Sequence, residues 1–215
     1  MSALLTPDEV ARRVAADIAP GAVVNLGIGM PTRVAAHVAP GSGVLLHTEN
    51  GMLGMGPEAH GDQIDPDLVN AGKVPVTELP GASYFHSADS FAMMRGGHID
   101  VCVLGAFQVS AGGDLANWHT GRPDDVPAVG GAMDLATGAR STLVMMTLLD
   151  KQGRSKLVGR CTYPLTGVGC VDRVYTDHGV LEPRDGRVLV REVHGTDLAR
   201  LRELTGLDLV DATAR

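Results

Sequence analysis

Hydrophobic and polar positions along the first third of the chain predict a helix, a strand, a second helix and a second strand. Residues 6–9 form a capping box, and Val10, Val14 and Ile18 then repeat at helical spacing until Pro20-Gly21. Apolar residues 22–27 predict a buried strand, residues 31–38 a helix behind Pro31, and residues 44–48 a second strand. This order is typical of the opening of a parallel sheet with crossover helices.

The rest of the chain continues the alternation of strands and helices. Helices are predicted at 87–95, ended by Gly96-Gly97, and at 196–204. Strands are predicted at 74–77, 99–104, 142–149, 167–177 and 187–193, the last pairing with 180–181 across a turn. Residues 54–72 look irregular. Without repeats or linkers, the prediction is a single domain over 1–215 of the α/β class, an open, mainly parallel sheet flanked by helices.

Composition narrows the function classes. The formal net charge is -7 and basic residues form no run, which argues against nucleic-acid binding. No apolar stretch reaches about 18 residues, so no membrane span is expected. The charged N-terminal segment does not resemble a signal peptide. Three cysteines without metal-ligand spacing indicate reduced thiols, and we expect a cytoplasmic protein.

Glu49 is the main candidate for chemistry. It follows the second predicted strand and precedes Asn50-Gly51, and the polar His47 and Thr48 suggest that the chain leaves the core there. The carboxyl ends of strands in open α/β sheets are where ligands bind, and a glutamate can act as a covalent nucleophile. A solvated turn acid is the alternative interpretation.

Four glycine-bearing turns are interpreted as following apolar strands. Exposed backbone N–H groups in such turns can cradle anions and oxyanions. The 28 glycines and the 3% aromatic content suit close approach of backbone to a ligand. The candidate binding residues in these turns are Gly27, Gly29, Asn50, Gly51, Gly105, Ala106, Gly130 and Gly131.

Two other patterns have competing interpretations. Gly27 and Gly29, with Glu49 22 residues beyond Gly27, match part of a dinucleotide-binding fingerprint, but Thr32 replaces its third glycine. Asp62, Asp65 and Asp67 cluster around a proline, yet their spacing lacks a calcium loop and favours a solvated loop. The histidines show no ligand spacing, so no metal is expected.

Long motifs in this order resemble the beta subunit of family I coenzyme A transferases, of the 3-oxoacid type. The resemblance extends over roughly residues 8–205 and implies the CoA-transferase fold. Segments 84–90 and 117–121 are most similar to the 3-oxoadipate branch, which takes CoA from succinyl-CoA in the catabolism of aromatic compounds. The motifs are 25–32 (NLGIGMPT), 49–57 (ENGMLGMGP), 67–73 (DLVNAGK), 90–98 (SFAMMRGGH), 105–110 (GAFQVS), 113–118 (GDLANW), 130–135 (GGAMDL) and 161–167 (CTYPLTG).

The resemblance implies a covalent mechanism. Glu49 would be the nucleophile that carries CoA as a thioester, and Asn25 with the backbone N–H of Gly130 would form the oxyanion hole. Thr48 stands where the family usually has serine and keeps the hydroxyl. No bound cofactor is implied, because CoA esters are substrates. The implied partner is an alpha subunit, in an αβ or α2β2 assembly.

Several residues keep a structural alternative. Asn25 would merely cap a turn, and Gly130 would serve turn geometry alone. Gln108 and Ser110 would line the site or satisfy loop backbone. His86 and Arg95 would meet the far carboxylate of a dicarboxylate substrate or stabilise the fold. Three activities also remain open besides 3-oxoadipate transfer: acetoacetate transfer, acyl-CoA hydrolysis, and nucleotide or sugar-phosphate binding without catalysis.

Overall fold

A computed structural model describes residues 3–213 of the chain. The described part has two 3-10 helices, Met30–His37 and Gly61–Gln63, and four α-helices, α1 (Pro7–Ala16), α2 (Ser87–Arg95), α3 (Ala132–Gly138) and α4 (Leu198–Thr205). Its strands are β1 (Val23–Leu26), β2 (Leu45–Thr48), β3 (Met52–Glu58), β4 (Val76–Tyr84), β5 (Val101–Leu104), β6 (Gln108–Ser110), β7 (Leu115–Ala116), β8 (Ser141–Met145), β9 (Leu157–Val158), β10 (Arg173–Thr176), β11 (Gly179–Arg184), β12 (Arg187–Val193) and β13 (Leu209–Asp211).

Ten strands form one large sheet in the order β13-β12-β11-β10-β8-β5-β1-β2-β3-β4. Its five central strands, from β10 to β2, are all parallel to one another. Antiparallel pairs flank them on both sides: β2 with β3 and β3 with β4 on one, β10 with β11 and β11 with β12 on the other. A small sheet, β7-β6-β9, lies apart. The predicted α/β class with a mainly parallel sheet is therefore confirmed.

The first helix forms because its own sequence caps it. Thr6 accepts a hydrogen bond from the Glu9 amide at 3.3 Å, and the Glu9 carboxylate accepts one from the Thr6 amide at 2.8 Å, so the capping box is complete. Val10, Ala11 and Val14 are buried on its inner face. Helix α2 has the predicted bounds, and α4 begins at Leu198 because Asp197 caps it.

Each face of the large sheet carries its own hydrophobic core. Successive residues of a strand point to opposite faces, so Val144 belongs to one core and Met145 to the other. The first core includes Met94 of α2, Leu135 of α3 and Leu201 of α4. The second includes Val14 of α1 and Val34 of the long 3-10 helix. The central strands are thus covered on both sides, as parallel strands usually are.

Several predicted boundaries are wrong. Segment 31–38 forms a 3-10 helix, and the segment predicted irregular, 54–72, contains most of β3. The strands predicted at 142–149 and 167–177 are shorter, and the one at 74–77 extends to Tyr84. The sequence does not predict β3, because its glycines and proline disfavour a strand locally. Its pairing with β4 is established by long-range contacts and includes two register shifts.

Within residues 3–213, none of the helices combines the length and the apolar character that crossing a bilayer requires.

Candidate active site

Three of the predicted site segments meet at one edge of the large sheet. Glu49 follows β2, Gly27 follows β1 and Gly105 follows β5, and these three strands are parallel neighbours. Strand β1 lies between its successor β2 and the later strand β5, so the strand order reverses there. Such a reversal opens a crevice at the carboxyl ends of the strands, where α/β sheets bind ligands.

Glu49 lies in the tight turn of a β-hairpin. Thr48 of β2 pairs with Met52 of β3, and the Gly51 amide donates to the Thr48 carbonyl at 3.2 Å. Gly51 has a φ of +111°, and a Cβ there would overlap the carbonyl oxygen of Phe85, so only glycine fits. Asn50 ties the turn to the next segment by donating to the Val69 carbonyl at 2.9 Å. The backbone that carries Glu49 is therefore fixed from both sides.

Asn25 is fully buried and directs its amide nitrogen at the turn. Its Nδ2 lies 3.4 Å from Glu49 Oε2, 3.2 Å from the His47 carbonyl oxygen and 3.1 Å from His47 Nδ1. The carboxylate and the carbonyl accept hydrogen bonds only, so the amide must present its NH2 group to them. The structure thus brings two of the predicted catalytic side chains, Asn25 and Glu49, into contact.

His47 lies behind Asn25, in the interior, which corrects the expectation that the chain leaves the core at His47 and Thr48. His47 is only 2% exposed, and burial lowers its pKa to about 4. With Nδ1 accepting from Asn25, the proton sits on Nε2 and is donated to Ser90 Oγ at 2.9 Å. Ser90 in turn donates to the Thr48 carbonyl at 2.9 Å. A neutral, buried relay therefore holds the Asn25 amide in place.

Gly130 and Gly131 do not follow a strand, contrary to the prediction, but precede α3, with Gly131 as its N-cap. A Cβ on Gly131 would lie 3.2 Å from Glu49 Cγ and 3.3 Å from the Phe91 ring. Gly130 has a φ of +49° and open space around its Cβ position. The backbone of this turn therefore lies so close to Glu49 that a side chain at position 131 would crowd the Glu49 side chain.

A cavity of about 440 Å³ opens beside Glu49. Its walls are mostly apolar and include Leu104, Met145 and Met146. The predicted site residues that line it are Gly27, Glu49, Gly105, Ala106, Gly130 and Gly131. A mostly apolar cavity with the Glu49 carboxylate in its lining suits an acyl chain that is attacked at one end.

Gly29 and Gln108 lie in neighbouring grooves. Gly29 lines a groove of about 620 Å³, together with Thr48 and residues 70–72. Gln108 lines a groove of about 600 Å³ and accepts from the Thr162 amide at 2.8 Å. Ser110 binds Asp114 and the Gly112 amide, so it satisfies loop backbone, which is one of its two interpretations.

His86 and Arg95 do not line the cavity beside Glu49. His86 is exposed and caps α2, accepting from the Ala88 amide at 3.1 Å. Arg95 forms an ion pair with Asp134 at 2.6 Å, which joins α2 to α3. Both contacts match the structural alternative.

Sequence patterns do not reveal three side chains of the site. His47 and Ser90 form the relay, and Lys156 lines the cavity although it follows a polar turn. Their signal is tertiary, since Ser90 is 43 residues from His47 along the chain.

The described part of the chain has neither a cluster of metal ligands nor a disulfide bond. Within residues 3–213, no group of three or more His, Cys, Asp or Glu could hold a metal ion. The cysteines of the same range, Cys102, Cys161 and Cys170, are free.

Comparison with known proteins gives matches over most of the chain. Residues 8–196 match the family model described as coenzyme A transferase. The chain is 58% identical over 207 residues to one subunit of the 3-oxoadipate CoA-transferase of Pseudomonas putida KT2440, covering 96% of this chain and 97% of that protein. It is 52% identical over 210 residues to the corresponding subunit from Acinetobacter baylyi, which bears the same name, covering 97% of both.

A solved structure shares the fold at low sequence identity. The acyl-CoA transferase YdiF from Escherichia coli O157:H7, in its apoenzyme form, superposes with a TM-score of 0.77 at 18% identity. The match covers 97% of this chain and 42% of that longer chain. The family match over most of the sequence and the identity to full-length relatives lead to one conclusion: the chain belongs to the coenzyme A transferase family.

Proposed function

We propose that this chain is the beta subunit of a succinyl-CoA:3-oxoadipate CoA-transferase and that Glu49 is its nucleophile. The observation that carries the proposal is the contact of the Asn25 amide with the Glu49 carboxylate, which lines a mostly apolar cavity. The two relatives named above, both from 3-oxoadipate CoA-transferases, support the choice of acceptor acid.

The chemistry follows from the position of the carboxylate. Glu49 attacks the thioester carbonyl of succinyl-CoA, which gives a mixed anhydride and free CoA thiolate. The thiolate attacks the glutamyl carbonyl, releases succinate and leaves a Glu49–CoA thioester. The carboxylate of 3-oxoadipate then attacks this thioester, and the same two steps run in reverse to give 3-oxoadipyl-CoA and free Glu49.

Each attack on the glutamyl carbonyl creates an oxyanion where Glu49 Oε2 or its partner oxygen lies. The Asn25 N–H is already directed at Oε2, so it needs no reorganisation as negative charge develops. We assign the second donor to the Gly130 backbone N–H, next to the glycine that borders Glu49 Cγ. One such donor contributes about 3 kcal/mol to transition-state stabilisation.

A partner chain is part of the proposal. Ile28 and Phe107 line the cavity, yet they remain 68% and 41% exposed, so this chain alone leaves the site open. An anhydride is lost to water unless the site is closed. Both relatives are named as subunits of a larger enzyme, and we propose an alpha subunit as the partner, in an α2β2 assembly.

The other activities have weaker support. Acetoacetate transfer would use the same Glu49 chemistry, and hydrolysis would need water as the acceptor. Dinucleotide binding would require an α-helix after β1, and this α-helix is not formed. The turn after β1 leads into a 3-10 helix, and the Thr32 hydroxyl donates a hydrogen bond back to the Gly29 carbonyl. The fingerprint requires an α-helix whose N-terminus faces the pyrophosphate.

Trapping the covalent intermediate tests the proposal. The chain copurified with its alpha subunit is incubated with succinyl-CoA and no acceptor, and its peptides are analysed by mass spectrometry. We expect CoA on the peptide that contains Glu49, and its loss when 3-oxoadipate is added. Glu49→Gln should abolish both the adduct and transfer without unfolding the protein, whereas Glu203→Gln on the exposed face of α4 should change neither.

Each other outcome has a definite meaning. If acetoacetate removes the adduct and 3-oxoadipate does not, the acceptor acid is that of the acetoacetate branch of the family. Absence of any adduct on an assembled, folded complex would contradict Glu49 as nucleophile.

A further inference from the structure

Lys156 is the one cationic side chain among the described residues that line the cavity beside Glu49. Its backbone is fixed just before β9, since its amide donates to the Leu148 carbonyl at 2.8 Å and its carbonyl accepts from the Val109 amide at 3.0 Å. The other residues that line the cavity are largely apolar, among them Met145 and Met146. The cavity is therefore lined by one glutamate and one lysine among mostly apolar residues, and Lys156 also borders the neighbouring groove.

The ammonium group of Lys156 is not neutralised by a direct partner within the described chain. The two carboxylates that act on it electrostatically are Asp150 and Asp177. Each is engaged elsewhere: Asp150 accepts from Arg154 Nε at 2.8 Å, and Asp177 accepts from the Leu148 amide at 2.8 Å. Burial removes part of the hydration of the charged group and so lowers the pKa of Lys156. A partly desolvated cation beside a cavity attracts an anion that enters it.

We propose that Lys156 binds the far carboxylate of the acyl group while Glu49 reacts at the near end. The inference rests on the function proposed above and adds the residue that selects dicarboxylic substrates. Succinyl and 3-oxoadipyl groups each carry a free carboxylate at the end remote from the thioester, so a single cation serves both the donor and the acceptor. His86 and Arg95 do not line the cavity and are engaged in the contacts described above.

Selectivity follows from the unmatched charge. A monocarboxylic acid of the same length places a methyl group against the Lys156 ammonium, which then loses hydration without gaining a counter-charge. A dicarboxylate places a carboxylate there and forms a charge-assisted hydrogen bond. Replacing Lys156 by an apolar residue of similar length removes this difference.

The acceptor half-reaction isolates the effect. The Glu49–CoA thioester is formed on the complex with excess succinyl-CoA, freed of small molecules, and mixed with 3-oxoadipate or with 3-oxohexanoate, which has a methyl group in place of the far carboxylate. In Lys156→Met we expect the second-order rate with 3-oxoadipate to fall about 30-fold or more, and the rate with 3-oxohexanoate to stay within about threefold. Lys156→Arg should keep most of the preference.

Matched variants separate recognition from a structural effect. Lys151→Met removes an exposed charge from the neighbouring groove and should leave the ratio of the two rates unchanged. Lys156→Gln is measured in parallel, so that a Met variant that fails to assemble does not decide the result. Equal losses with both acids, or an unchanged ratio in both Lys156 variants, would overturn the inference. Wild-type complex that forms no thioester, or a thioester that 3-oxoadipate does not discharge, would refute the proposed function instead.

Discussion

At the scale of single residues, the buried His47 makes the stability of the folded protein depend on pH. The pKa of His47 is about 4 in the folded protein, because burial disfavours the charged ring, and near 6.5 in the unfolded chain. The unfolded chain therefore takes up the proton first as pH falls. The contribution of His47 to stability is complete above pH 6.5 and is lost between 6.5 and about 4.

The prediction concerns the slope of the free energy of unfolding plotted against pH. Over that pH window, the free energy of unfolding of the wild type should fall more steeply than that of His47→Gln, by up to roughly 1.4 kcal/mol per pH unit. Urea denaturation followed by circular dichroism measures it. His60→Gln, a change at an exposed position, should keep the wild-type slope. If the free energy of unfolding changes equally with pH in the wild type and in His47→Gln, the ring is not held neutral.

The sequence predicts the position of a site residue correctly where the residues that fix this position are adjacent in sequence. The sequence places Glu49 correctly at a strand end because strand, acid and Asn-Gly turn are contiguous. It does not predict the burial of His47, because a polar residue in a strand is normally a sign of exposure. That burial is compensated by Asn25 and Ser90, which lie on other elements and which local patterns do not connect to His47.

At the scale of elements, the hairpin of β2 and β3 depends on close approach at Gly51. Gly51→Ala combines a φ of +111° with overlap of the new Cβ and the Phe85 carbonyl. We expect it to lower the free energy of unfolding by about 2 kcal/mol or more and to abolish CoA transfer. Gly81→Ala shares the positive φ, at +89°, but meets open space, so it should cost about 1 kcal/mol. Equal costs would show that the contact with Phe85 is unimportant. Urea midpoints of the three proteins provide the comparison.

Elements with strong local signals are predictable, and elements made by distant pairing are not. Helices α1 and α2 carry a capping residue or a terminating glycine in their own sequence. The short strands β6, β7 and β9 form only because three separate segments meet, and no pattern of two or three residues announces them. The helix α3 follows a pair of glycines that looks like a loop.

At the scale of the whole molecule, an ionic network joins α1 to the far part of the large sheet. Arg173 binds Asp17 at 2.6 Å and Glu182 through its Nε at 2.9 Å. Arg13 binds Glu192 at 2.8 Å. Burial alone would raise the pKa of Asp17, but its hydrogen bonds from Arg13 and Tyr175 keep it below the usual value. The N-terminal helix is thereby fixed to strands more than 150 residues away in sequence.

Arg173→Met should reduce the free energy of unfolding by about 1–2 kcal/mol, because the variant leaves two partly buried carboxylates without one of their partners. In about 1 M salt the difference from wild type should narrow. Arg140→Met removes a single exposed pair with Asp100 and should stay within about 0.5 kcal/mol of wild type. Indistinguishable urea curves for Arg173→Met and Arg140→Met would contradict the role of the network.

The hairpin that carries Glu49 has a consequence for how this enzyme can diversify. The reacting carboxylate is fixed by strand pairing and by a glycine contact, so its position tolerates almost no change in length or sequence. Part of the cavity wall comes instead from the stretch after β5, from Gly105 to Val129, and from Lys156. Mutational libraries restricted to that stretch and to Lys156 should therefore yield enzymes with new acid preferences, while libraries in the hairpin should yield mostly inactive protein.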